Sequence, residues 1–151
     1  MRLLQIASSD RWTVLLVCDA RGDCLVLDFI SSLDDTTRSR LLSDLRQFVP
    51  ETGVRDWVKT DFSKRLGDTD RIYEFRWPAK KGGTARVLWF YGEAKEIVCA
   101  IGVLKKKGKL QRSEIDKAEE YRRAYFKARD AGYLTILVME VGGVSRDGKI
   151  C

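Results

Sequence analysis

The side chains with the most chemistry to offer are cationic, and they fall in one stretch. Arg76 and Arg86 lie inside runs of β-forming residues, and Lys80 and Lys81 lie in the Pro-Ala-Lys-Lys-Gly-Gly turn between them. Lys105, Lys106, Lys107 and Lys109 follow a third apolar run, with Arg112 close behind. A guanidinium held on a strand can present paired N–H donors to a phosphate, whereas ammonium groups on a turn act as point charges toward a polyanion. The charge distribution agrees: of 28 basic and 22 acidic residues, 8 and 9 lie in residues 1–60, leaving 20 and 13 for the rest of the chain. Clustered positive charge favours polyanionic partners through phosphate contacts and counterion release. The competing account is a solvated Lys/Arg surface that keeps a small protein in solution.

Other chemistries are excluded or disfavoured by composition. The chain contains no histidine, so imidazole cannot serve as general acid or base. Its four cysteines, Cys18, Cys24, Cys99 and Cys151, form no C-x-x-C pair, so no zinc site is expected, and no cofactor is called for. The apolar runs Trp12 to Cys18 and Ile136 to Met139 are too short to span a bilayer, and no signal peptide is visible. Cytoplasmic residence with reduced thiols is the expectation. At 151 residues and 44% hydrophobic content the chain suits one domain with one core, 1–151, with a loose polar tail over 142–151.

The elements that must position the cations can be read from periodicity. Trp12 to Cys18 predicts a strand covered on both faces, and Asp19 to Asp23 a turn. A short helix is expected from Val26 to Leu33. A second should begin at an Asp34 or Asp35 N-cap, carry Leu41, Leu42, Leu45, Phe48 and Val49 on one stripe, and end at Pro50. Its Arg38, Arg40 and Arg46 read as a solvated face. Glu51 to Asp70 has no assignable regular structure, with Trp57, Val58, Phe62 and Leu66 as candidate anchors and a turn at Gly67-Asp68. Three strands then follow through Arg71 to Leu104. Alternation puts Tyr73, Phe75 and Trp77 on one face and Ile72, Glu74 and Arg76 on the other, with Arg86, Leu88 and Phe90 sharing a face on the second strand. The third strand, Ile97 to Leu104, is apolar throughout and therefore central, with Ala100 and Gly102 allowing close approach on one face. A helix from an N-cap at Ser113 to about Arg129 and a possible extra strand over Tyr133 to Val141 complete the pattern.

Local motifs sharpen this outline. Arg71-Ile72-Tyr73-Glu74-Phe75-Arg76 resembles the strand ending in Glu-x-Arg of the phage-derived, HigB-like branch of the RelE/HigB superfamily of type II toxins. Ala85-Arg86-Val87-Leu88 resembles that family's Tyr-Arg-Val-Leu strand, and Lys105-Lys106 with Glu114-Ile115 and Ala118 its closing Phe-x-Lys-Lys and Glu-Ile-x-x-Ala pattern. Gly22-Asp23-Cys24 with Asp28-Phe29-Ile30 and Leu33 is similar to the branch's entry into its first helix. The likeness covers roughly residues 12–128. Ala85 stands where an aromatic is usual, and Asp116 stands where other members carry a tyrosine.

The resemblance implies an α+β, RelE-like fold: an N-terminal strand, a two-helix hairpin, a three-stranded antiparallel meander and a C-terminal helix. It also implies a ribosome-dependent mRNA endoribonuclease that inhibits translation, controlled by a cognate antitoxin, expected to be a small helix-turn-helix protein. In that chemistry the ribose 2′-hydroxyl attacks the adjacent phosphate, and cations stabilise the phosphorane. Arg86, Arg76, Lys105 and Lys106 match the family's catalytic cations, while Lys80, Lys81, Lys107, Lys109 and Arg112 would contact RNA backbone. Alternatives stay open at each: Arg76 as a salt bridge to Glu74, the lysines as an RNA-contacting turn, Trp77 and Trp89 as base-stacking platforms or core, and Tyr91, Tyr121 and Tyr125 as packing or proton-transfer groups. A non-catalytic basic module binding RNA or protein is the alternative function, and a purely structural phage protein a third.

Overall fold

A computed structural model describes residues 1–52, 63–65, 71–80, 82–105 and 110–139. Among these, seven strands form one mixed sheet in the order β3-β4-β5-β6-β2-β1-β7. The strands are β1 (Arg2–Ser8), β2 (Thr13–Cys18), β3 (Ser63–Arg65), β4 (Tyr73–Pro78), β5 (Thr84–Tyr91), β6 (Glu96–Lys105) and β7 (Thr135–Val138). This overturns the expected RelE-like architecture of a three-stranded meander with a helical hairpin and a closing helix. β4, β5 and β6 pair antiparallel in succession, but they form only part of the sheet. β6 continues into β2 by parallel pairing, β2 into β1 antiparallel, and β1 into β7 parallel. The larger sheet follows from Arg2–Ser8, whose alternation is short and interrupted and was not expected to form a strand. Once β1 pairs with β2, it offers β7 an edge.

Helices cover both faces. α1 (Leu25–Ser32), α2 (Asp35–Ser43) and α3 (Val49–Thr52) lie over a core of Val14, Leu16, Ile30, Leu41, Leu45, Phe75, Trp77 and Trp89. α4 (Arg112–Ala131) covers the opposite face, where Leu3, Leu15, Leu88, Phe90, Val98, Ala118 and Tyr125 are buried together. Asp34 caps α2 as expected, its carboxylate accepting from the Thr37 amide at 3.0 Å. Pro50 does not end the helix. A π-helical turn over Asp44–Phe48 precedes it, and the chain stays helical to Thr52. The wider turn accommodates a ring that would otherwise meet the carbonyl four residues back. α4 is capped by Gln111 rather than Ser113, through a capping box with Glu114, and ends at Gly132 in the left-handed conformation. The expected anchors Trp57, Val58, Phe62 and Leu66, the Gly67-Asp68 turn and the 142–151 tail lie outside the described residues.

Two bulges reshape the sheet. In β1 the register shifts between Gln5 and Ala7, and Arg46 donates from Nε to the carbonyl of the intervening Ile6 at 3.2 Å. Arg46 is therefore a structural tie rather than part of a solvated face. In β6 the register shifts opposite the step from Leu88 to Trp89, which face Ile101 and Cys99 respectively and leave Ala100 as the extra residue.

Candidate functional site

The second bulge decides where the cations point. Without it, strict alternation would put Lys105 on the same face as Cys99, in the core beneath α1 and α2. The extra residue instead turns Ile101, Val103 and Lys105 toward α4, and Lys105 pairs with Thr84, two residues from Arg86 on the same strand. Arg76 and Arg86 are direct cross-strand partners. The structure thus gathers Arg76, Arg86 and Lys105 on the α4 side of the sheet, near the β4–β5 turn and the end of β6.

Each of these cations has a carboxylate. Glu74, two residues before Arg76 on the same face and fully buried, lies 3.5 Å from Arg76 Nε and 3.7 Å from Arg86 Nη1. Lys105 Nζ lies 2.8 Å from Glu114 Oε1 at the start of α4. Arg86 is the more enclosed of the two arginines, with a side chain 12% exposed against 31% for Arg76. A buried carboxylate shared by two guanidinium groups fixes their planes and leaves the trio a net positive charge, an arrangement suited to holding an anion in one orientation. Arg112 is more exposed and pairs along its own helix with Asp116 at 2.9 Å. The Lys80 side chain is exposed, and its amide donates to Thr37 Oγ1 at 3.3 Å, tying the β4–β5 turn to the start of α2. Lys81, Lys106, Lys107 and Lys109 lie outside the described residues.

The aromatic alternatives resolve toward packing. Trp77 and Trp89 are buried in the core, Trp89 stacked on Tyr73 and Phe75 with ring centroids 4.7 and 4.9 Å away, so neither offers a surface to a base. Trp77 spends its indole N–H on Asp44 at 2.8 Å. Burial, reinforced by Tyr73, raises the Tyr91 phenol above its ordinary range. Tyr125 is fully buried at the far end of α4. It donates to Glu96, accepts from the Glu93 amide at 3.0 Å and from Arg129 Nε at 2.8 Å, and so clamps the β5–β6 turn. That turn needs a clamp, because Ala94 and Lys95 both hold positive φ, 50° and 63°, which costs non-glycine residues energy. Burial and the Glu96 carboxylate push the Tyr125 phenol up to about 12.

Comparison with known families places this site within a shared segment. The family model described as Phage derived protein Gp49-like (DUF891) matches residues 28–123. The chain belongs to that family. It is a RelE/HigB-like toxin family of the toxin–antitoxin type, which implies an antitoxin partner. No curated protein matches the chain. The Gp49-like segment runs from within α1 into α4, holding Glu74, Arg76, Arg86, Lys105 and Glu114, while β1, β2 and β7 lie outside it. No helix among the described residues is long and apolar enough to cross a membrane.

Proposed function

We propose that this Gp49-like protein is the toxin of a type II toxin–antitoxin pair, of the HigB-like kind, and acts in the cytoplasm as a ribosome-dependent mRNA endoribonuclease. The observation that carries the reading is the cross-strand pair Arg76 and Arg86 on one buried carboxylate, with Lys105 turned onto the same face. In the proposed reaction the 2′-hydroxyl of one nucleotide attacks the adjacent phosphorus, the bond to the 5′-oxygen breaks, and a 2′,3′-cyclic phosphate and a 5′-hydroxyl result. Arg86 binds the scissile phosphate and meets the charge that develops on its non-bridging oxygens. Arg76 clamps a neighbouring phosphate, and Lys105 and Lys106 add positive charge at the leaving side. Lys80, Lys81, Lys107, Lys109 and Arg112 hold RNA backbone electrostatically. A small helix-turn-helix antitoxin covers this surface when the toxin is silent.

One observation favours a non-catalytic RNA- or protein-binding role: the described cations Arg76, Arg86 and Lys105 are each in an ion pair already. Induction in bacteria followed by mapping of mRNA 5′ ends separates the two. New ends within translated codons that decrease about 10²- to 10³-fold in Arg86→Ala are the expected result, since that is the usual cost of one lost charge-stabilising donor. Growth arrest with no new ends would establish the binding role instead.

A further inference from the structure

The two cysteines that flank the β2–α1 turn are placed for chemistry that the phosphate site does not use. Cys18 ends β2, and Cys24 immediately precedes α1. The five residues between them close on themselves: the Asp19 amide donates to the Asp23 carbonyl at 2.8 Å, and the Asp19 carboxylate accepts from the amides of Arg21 and Asp23, both at 2.9 Å. Gly22 completes the turn at φ 87°. The closure sets residues 18 and 24 beside each other, and both side chains are buried in the same core cluster. Both are buried, at 6% and 7% exposure, and lie nearer the surface than Cys99 at 0%.

The surroundings distinguish the two sulfurs. Arg2 is the cross-strand partner of Cys18, and its guanidinium lies against the turn, 3.2 Å from where a side chain on Gly22 would begin. Interaction with the Cys24 thiol, helped by Arg2, holds the Cys18 thiol below its ordinary range against burial and the charges of Asp19 and Asp23. The same interaction, with burial, raises Cys24. A thiol of lowered pKa beside a guanidinium, with a second thiol at the other end of one closed turn, has the makings of a nucleophile and a resolving group.

We propose that Cys18 and Cys24, juxtaposed across the closed Asp19–Asp23 turn, are a hydroperoxide-reactive dithiol that converts to an intramolecular disulfide. The Cys18 sulfur attacks one peroxide oxygen, the O–O bond breaks, and Cys18 becomes a sulfenic acid while the other oxygen leaves as water, or as an alcohol from an organic hydroperoxide. The Cys24 sulfur then attacks the sulfenic sulfur, the S–S bond forms, and the second oxygen departs as water. Two thiols lose two electrons in total to one peroxide. The closed turn already brings the two backbones together, as a disulfide with an S–S bond of about 2.05 Å requires. The proposal is independent of the ribonuclease reading.

Trypsin offers a direct test, because Arg11, Arg21 and Arg38 place the two cysteines in separate peptides, residues 12–21 and 22–38. The whole protein is treated with hydrogen peroxide, alkylated under denaturing conditions and digested without reductant. The expected result is a linked pair of these two peptides that dithiothreitol separates, with Cys99 still alkylated. In Cys24→Ser the sulfenic acid at Cys18 should persist and be trapped by dimedone. Peptides that stay unlinked, carry thiols still open to alkylation, end as a singly over-oxidised Cys18, or link instead to Cys99 or Cys151 would overturn the proposal. The wild-type linkage decides the matter without any variant.

Discussion

Glu74 joins the site to the fold at the level of single residues. Removing its charge while keeping its shape, in Glu74→Gln, leaves two guanidinium groups at the sheet surface without their shared countercharge. The expected cost is about 3 kcal/mol, the low end for breaking a buried pair because Arg76 is partly exposed, read as a lower urea midpoint. The pairing was half legible in the sequence: alternation places Glu74 and Arg76 on one face, but a strand read alone does not reveal that Arg86 arrives directly opposite. Tyr125 gives a pH-dependent counterpart. Its phenol is raised from 10.0 to about 12, so the fold favours the neutral form. That contribution is complete below pH 10 and is lost as the pH rises through about 12. Spectrophotometric titration should show one phenolate appearing near pH 12. Tyr125→Phe should abolish that step and lower stability by about 1.5–3 kcal/mol through the lost bond to Glu96.

Among the elements, β6 shows best what residue patterns conceal. From Ile97 to Leu104 every residue is apolar or glycine, so no polar marker records which face each one takes. The bulge at Ala100 was therefore invisible, although it decides which way Lys105 points. Ala100 and Gly102 were expected to share a face. Instead Ala100 packs under α4, while Gly102 sits against the Phe29 ring of α1 on the other side. A methyl at Gly102 would begin 2.2 Å from Phe29 Cδ2, so Gly102→Ala must push α1 off the sheet. A loss of about 1–3 kcal/mol is expected in chemical denaturation. The start of α2 was easier to read, because an aspartate cap is a local signal, whereas Arg46 reaching the Ile6 carbonyl depends on a contact 40 residues away.

For the whole molecule, the cation-bearing half of the sheet was legible because its strands are long, rich in β-formers and separated by strong turns. In the other half, Trp12 to Cys18 was legible as β2 and Tyr133 to Val141 as the extra strand that contains β7, whereas β1 was not. β1 carries an interrupted alternation that a bulge accommodates, and β7 joins the sheet only by pairing with Arg2 to Gln5, far off in sequence. This is also where the chain departs from the Gp49-like segment, which spans residues 28–123. A fragment of residues 1–92 retains β2 and β5 but lacks the strand that joins them. It should show no cooperative urea transition and little near-ultraviolet circular dichroism.

The terminal ammonium of Met1 donates to the Tyr133 carbonyl at 2.9 Å across 132 residues, and this bond closes the same seam as the β1–β7 pairing. During synthesis the first strand must therefore wait for one of the last described segments before its outer edge is filled. The central β2–β6 pairing likewise waits until residue 99 has cleared the exit tunnel. Contacts of such long range make folding slow and late. A nascent chain therefore carries an unpaired β1 edge, open to other strands, until the residues of β7 have emerged.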